Sequence, residues 1–307
     1  MTKIDRVRAT LAGQSVDHPP FTIWYHFGNQ HASAQQTAEV HLDFFKYYDL
    51  DLLKVMNDYD YPMPDGMDVM AMPEDLKRLE RFDPTTTPLG RQLVALDLIA
   101  KALKGQALFV DTMFNAWNTL RRNLTKEATG SLMERFPDAV ERALAVINQN
   151  LIQYALASLE RGAAGIFLSV PASAEFVTPE QYDRFMRPFD LALLKAIQGK
   201  GECHTLHAHG EKLYLDALLE YPAQVISWAD LNGGPGIAEL RKRTSSTLMA
   251  GLNHVKFPYV SAAVIRDQVR AAKQQAGATK FILAPGCSVA TYSFPPLITA
   301  ACNAARA

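Results

Sequence analysis

The chain has 307 residues, 48% hydrophobic and 21% charged, and its 31 basic side chains nearly balance 32 acidic ones for a formal charge of −1. That balance offers no concentrated positive field to nucleic acid or an anionic membrane, and the longest basic runs, at 121–122 and 241–243, read as solvated helix faces. No apolar run nears the ~18 residues of a membrane span, and the three cysteines Cys203, Cys287 and Cys302 are too few and too odd in number for a disulfide framework.

The chain opens on MTKIDRVRATLAGQ, polar where a signal peptide carries an apolar stretch. With reduced thiols, this points to a cytoplasmic protein, expected as a monomer or homodimer. Eight short apolar runs of strand length then follow, at 21–27, 50–58, 107–114, 163–170, 204–209, 224–230, 247–253 and 280–286. Stretches of helical period lie between them. In 133–160, Val140, Ala143, Leu144, Ile147, Leu151 and Tyr154 recur at three- and four-residue steps. The segment 178–189 opens on Thr178 as an N-cap with Pro179 at the first helical position.

Strands alternating with helices argue for a parallel sheet, because each parallel connection must cross over. Eight such units in this length fit one distorted (β/α)8 barrel spanning 1–307 as a single domain. A doubly wound open sheet is the competing layout. It predicts a glycine-rich phosphate loop after an early strand, and neither GxGxxG nor GxxxxGK[ST] occurs.

A barrel gathers functional groups where its strands end. Those ends carry Trp24, Tyr25 and His26; Asn57 and Asp58; Asp111 and Asn115; Ser169; His207 and His209; Trp228 and Asp230; Asn253 and His254; and Cys287. On the fifth run, period-two alternation puts Cys203, Thr205, His207 and His209 on one face and His204, Leu206 and Ala208 on the other. His204 then reads as a structural histidine packed toward the helices, and Cys203 and Cys302 as small buried hydrophobes. Two imidazoles at this spacing can share one cation, and Cys287 can add a thiolate. Two nitrogens and a sulfur suit zinc with a fourth position open. His-x-His alone more often marks packing or substrate binding than metal ligation. A metal-dependent hydrolase would place such a pair on the first strand, where this chain has IWYHF.

With these residues in view, the chain resembles the uroporphyrinogen decarboxylase superfamily along nearly its whole length. RVRATLAGQSVDHPPFTIW is similar to that family's start, GAAGIFLSV with VTPEQYDRFMRPFDLALLKAI to its middle, and LHAHG, YPAQVISWAD and FILAPGCSV to its later strand ends. The true decarboxylases carry an arginine-rich stretch after strand one that holds the substrate's carboxylates. Here WYHFGNQ stands instead, with no arginine from His18 to His41, so an eight-carboxylate porphyrinogen is poorly matched. Asp58 does fall where those enzymes keep an aspartate. Their glycine–histidine–glycine at strand eight reads Gly286-Cys287-Ser288 in this chain.

The cysteine resembles the methyltransferase branch, the methylcobalamin:coenzyme M type, which binds zinc through His-x-Cys on strand five and a cysteine on strand eight. His207 and Cys287 match that pattern, and His209 stands where the first cysteine would be. The resemblance implies a zinc-dependent methyltransferase in which a zinc-bound thiolate attacks an electrophilic methyl group. A partner protein would carry the corrinoid, and a methoxy or methylthio compound with a corrinoid acceptor fits the same site. His26, Asp58 and Asp230 are then expected as catalytic, proton-handling groups. Trp24, Tyr25, Asn57, Trp228 and Asn253 are expected to contact a small-molecule substrate. The alternatives are a cofactor-independent carboxy-lyase and a non-catalytic barrel that binds a tetrapyrrole or corrinoid.

Overall fold

Seven of the eight apolar runs become strands. In the computed structural model, which describes residues 1–307, these are β1 (Leu52–Val55), β2 (Leu108–Phe114), β3 (Gly165–Val170), β4 (Thr205–Ala208), β5 (Val225–Trp228), β6 (Thr247–Leu252) and β7 (Phe281–Pro285). All pair in parallel, in chain order from β1 to β7. Near-continuous burial along each strand is what a sheet covered on both faces requires. The outward set, including Leu53, Phe109, Ile166, Leu206, Ile226, Leu248 and Leu283, joins the large core under the helices. The inward set, Leu52 of β1 through Ile282 of β7, packs into a second cluster together with Val7 from the helix Lys3–Leu11. Contact between residues from the first and last strands means that the sheet is curled, in the manner of a TIM-type fold.

The first run, 21–27, does not form the eighth strand that its composition predicts. Only Phe21 bridges, to Leu283. Pro19 and Pro20 precede it and supply no N–H to a ladder. The segment nevertheless lies beside both edges: the Thr22 N–H donates to the Leu283 carbonyl at 3.1 Å, the Leu283 N–H to Pro20 at 2.8 Å, and the Asp51 N–H to Phe21 at 3.0 Å. The sheet is therefore seven-stranded, with an irregular segment in the eighth position.

The 133–160 helix divides at Phe136 into Thr129–Arg135 and Pro137–Glu160, because the residue before a proline is forced out of helical conformation. Thr178 caps Pro179–Phe185 and exchanges bonds with Gln181 in a capping box. No helix is long and apolar enough to cross a membrane.

Outside the sheet, Asp190 is buried and accepts hydrogen bonds from the Tyr221 hydroxyl at 3.0 Å and the Asn115 amide at 3.3 Å. Burial pushes its carboxyl up to about 7 from an ordinary 3.8, against those two bonds. The unfolded chain then releases this proton at lower pH than the folded one does, so stability falls as pH rises from about 4 to 7 and levels off above. Asp190→Asn keeps an acceptor for both donors and cannot ionise. Its stability relative to the parent is expected to grow by about 2–3 kcal/mol between pH 5 and pH 8, read from urea midpoints. An offset that does not change with pH would show that this carboxyl titrates normally.

A candidate metal and substrate site at the mouth of the sheet

His207 is the last inward residue of β4. Its register partners are Ser169 on β3 and Ser227 on β5, and Ser169 in turn pairs with Phe114 on β2, so a row of inward side chains rims the mouth. His207 is only 3% exposed. Its Nδ1 lies 3.1 Å from the Ser227 hydroxyl, and its Nε2 is buried without a partner. When Nδ1 donates to Ser227, Nε2 presents its lone pair to the mouth, which is the tautomer that metal ligation needs. His209 follows one pleat repeat later, anchored through its N–H to the Val170 carbonyl and stacked on Phe176. Cys287 approaches from the loop after β7, with its Sγ 3.8 Å from His209 Nδ1. The ligand atoms of His207, His209 and Cys287 all lie within 4.8 Å of one another.

Burial alone would raise the Cys287 thiol. Hydrogen bonding to His207 and His209 outweighs it and holds the thiol well below the usual range. Burial lowers His207, which keeps the imidazole neutral. An orphaned buried nitrogen, a second imidazole and a thiolate-favouring cysteine make a donor set that fits zinc.

Beside this trio lies a cavity of about 250 Å³. Trp24, His26, Met56, Phe167 and Ser169 line it, and so does Lys54 from inside β1. His26 Nδ1 meets Asp58 Oδ1 at 2.8 Å, and the other Asp58 oxygen accepts the N–H groups of Gly28 and Asn29. Burial raises Asp58, but His26 and those two amides outweigh it, so its carboxyl lies below the ordinary value. A second cavity, of about 260 Å³, opens on the other side of His209 and Cys287. It is lined by Glu175, Glu211, Asn232 and His254.

Other expected contact residues are not brought to the mouth. Tyr25 turns outward against Phe27 and Phe44. Asn57, also outward, donates to the Tyr154 hydroxyl, and Trp228, fully buried, donates to the Pro235 carbonyl. Asn253 ties its loop to the one after β5, donating to the Leu231 carbonyl, and accepts the Lys256 N–H within its own loop. Asp230 accepts the Gly251 N–H, and burial pushes its carboxyl up to about 6. Alternation puts Trp24 and Asp58 on the inward side and Tyr25 and Asn57 on the outward one, so a strict period-two count is the available signal.

Three basic residues at the cavity were missed. Lys54 is buried, its Nζ 2.9 Å from the Thr112 hydroxyl and over the Trp24 and Phe167 rings. Burial pushes it down to about 7. Arg121 and Arg122, expected as a solvated helix face, line the cavity instead.

The uroporphyrinogen decarboxylase (URO-D) family model matches residues 2–307. Among solved structures, a methyltransferase from Methanosarcina mazei superposes with a TM-score of 0.83 at 17% identity, over 99% of this chain and 98% of its own. A putative vitamin-B12-independent methionine synthase from Listeria monocytogenes gives 0.53 at 12% identity, over 89% and 86%. A B12-independent methionine synthase from Shewanella sp. W3-18-1 gives 0.51 at 14%, over 69% and 64%. At these identities the likeness is one of fold. No curated protein matches in sequence.

Proposed function

Because the chain belongs to the uroporphyrinogen decarboxylase family, we propose that it is a methyltransferase of that family, with zinc held by His207, His209 and Cys287 and a small thiol as methyl acceptor. The observation that carries this reading is the buried, partnerless Nε2 of His207 facing a cysteine and a second imidazole. Bound there, zinc would supply the Lewis acidity that keeps a substrate thiol ionised at neutral pH. The chain's own residues do the rest. Ser227 fixes the tautomer of His207. Asp58 engages His26 Nδ1 and leaves Nε2 as the atom that takes the thiol proton at the mouth. Trp24 and Phe167 form an apolar wall that keeps water from the sulfur. Asp230, Asn253, Asn57, Tyr25 and Trp228 hold the strand ends and loops in place rather than touch the substrate.

In this reading the methyl donor is a methylated corrinoid presented at the mouth by a separate protein. Transfer in the reverse sense, from a methoxy or methylthio compound to the corrinoid, uses the same residues.

The test is zinc content and transfer of labelled methyl from methylcobalamin to a thiol, in the parent and in His209→Ala. The parent is expected to hold close to one zinc per chain, and the variant to lose at least tenfold in zinc affinity and in transfer. A parent that takes up no zinc on reconstitution, or a variant with undiminished transfer, overturns the reading.

A further inference from the structure

The cavity beside the trio carries Lys54, Arg121 and Arg122, and no carboxylate is among its sixteen lining residues. None of the three cations forms an ion pair, although fourteen pairs occur elsewhere in the chain. Nearby Asp58 and Asp60 are committed to His26 and Asn123. Arg121 Nε is buried without any acceptor. Two guanidiniums and an amine gathered in one recess with no carboxylate in its lining repel one another and pay for desolvation, so a fold that keeps them there has a use for the field.

The local structure also holds them in place. Arg121 and Arg122 lie on a π-helical turn, Leu120–Thr125, whose wide winding puts consecutive side chains toward one recess. The Arg121 guanidinium sits 5.3 Å from the Phe176 ring centre and 5.5 Å from that of Trp117, and Arg122 sits 4.5 Å from that of Phe114. Aromatic faces fix the guanidinium planes and leave their N–H edges free. Lys54 stands deeper, on β1.

We infer that Arg121, Arg122 and Lys54 bind a carboxylate on the substrate, and that the substrate is a small carboxylic acid whose other end reaches His207, His209 and Cys287. Only the identity of that other end as a thiol rests on the function proposed above. Planar guanidinium forks suit a carboxylate, and a recess of about 250 Å³ suits a small molecule.

Calorimetry with the purified protein tests this using two matched pairs: 3-mercaptopropionate with its amide, and succinate with succinamide. Each acid is expected to bind at least tenfold tighter than its amide, with a preference that weakens as salt rises. Arg121→Gln and Arg122→Gln should each bring the acids close to the amides and leave the amides unchanged, and Lys54→Met should do so in part. Equal binding of acid and amide, or no binding of either, overturns the inference. Acid preference in both pairs, with the thiol no tighter than succinate, keeps the carboxylate site and sinks the thiol reading. The reverse pattern does the opposite.

Discussion

Cys287→Ser is expected to lower zinc affinity at least 100-fold and methyl transfer at least 1,000-fold, while the urea midpoint moves by less than about 1 kcal/mol. The substitution changes little but the ligand atom. A serine hydroxyl stays protonated at neutral pH and is a poor zinc donor, whereas the thiol it replaces faces two imidazoles that favour its anion. Cys287 lies in the loop after β7 and is only partly buried, so packing contributes little to the loss. Alkylation supplies an independent check. Burial pushes Cys203 and Cys302 up to about 12, so iodoacetamide at pH 7 should label Cys287 alone, and zinc should protect it. A Cys287→Ser protein with full zinc and full transfer would remove the thiolate from the site.

Gly286→Ala is expected to cost about 2–4 kcal/mol and to lose zinc binding along with it. A Cβ on Gly286 would stand 2.6 Å from the Ala229 Cα and 2.9 Å from its Cβ, and 3.2 Å from His254 Nδ1. Backbone cannot yield as a side-chain tip does, so the loop after β7 must move away from the end of β5. Cys287 is the next residue and moves with it. Zinc ligation tolerates only a few tenths of an ångström, so metal content should fall further than stability alone explains. Zinc titrations well below the unfolding midpoint separate the two effects. A stable Gly286→Ala protein that binds zinc normally would show that the close approach of the two loops is not what sets Cys287.

Much of this site was legible in the residues, for reasons of period. The seven apolar runs that become strands do so because each is laddered to at least one neighbour and is covered on both faces. Alternation on the fifth run sorts His207 and His209 from His204, and the structure agrees: His204 lies on the outward face, where its Nδ1 accepts the Ile166 N–H. The run at 21–27 misled because apolar content says nothing about missing donors, and Pro19–Pro20 decide the matter. Phe136 was passed over in the same way, since helical period alone does not see the proline that follows. Tyr25, Asn57 and Trp228 were grouped with their neighbours by position in the chain, although alternation sends them outward. Lys54 offered a signal in the other direction, the one cation of LDLLKVMND, at an inward position in the middle of the run. Arg121 and Arg122 offered none: the π turn and the rings of Trp117, Phe114 and the distant Phe176 bring them to the recess, and no spacing in the sequence announces a π turn.

The irregular segment in the eighth position has a consequence for how firmly the mouth is held. No backbone N–H from residue 23 to 27 donates to a protein acceptor, whereas every strand beside it is laddered on at least one side. Amide protons without partners exchange with solvent without waiting for the sheet to unfold. Trp24 and His26, one wall of the cavity and its proton-handling group, are thus carried on the least protected stretch of the frame, and the pairs from β2 to β6 form its slow-exchanging heart. The wall that meets the substrate is held by the packing of Ile23 and Trp24 rather than by a ladder, whereas His207, two staves into the protected region, is held by both.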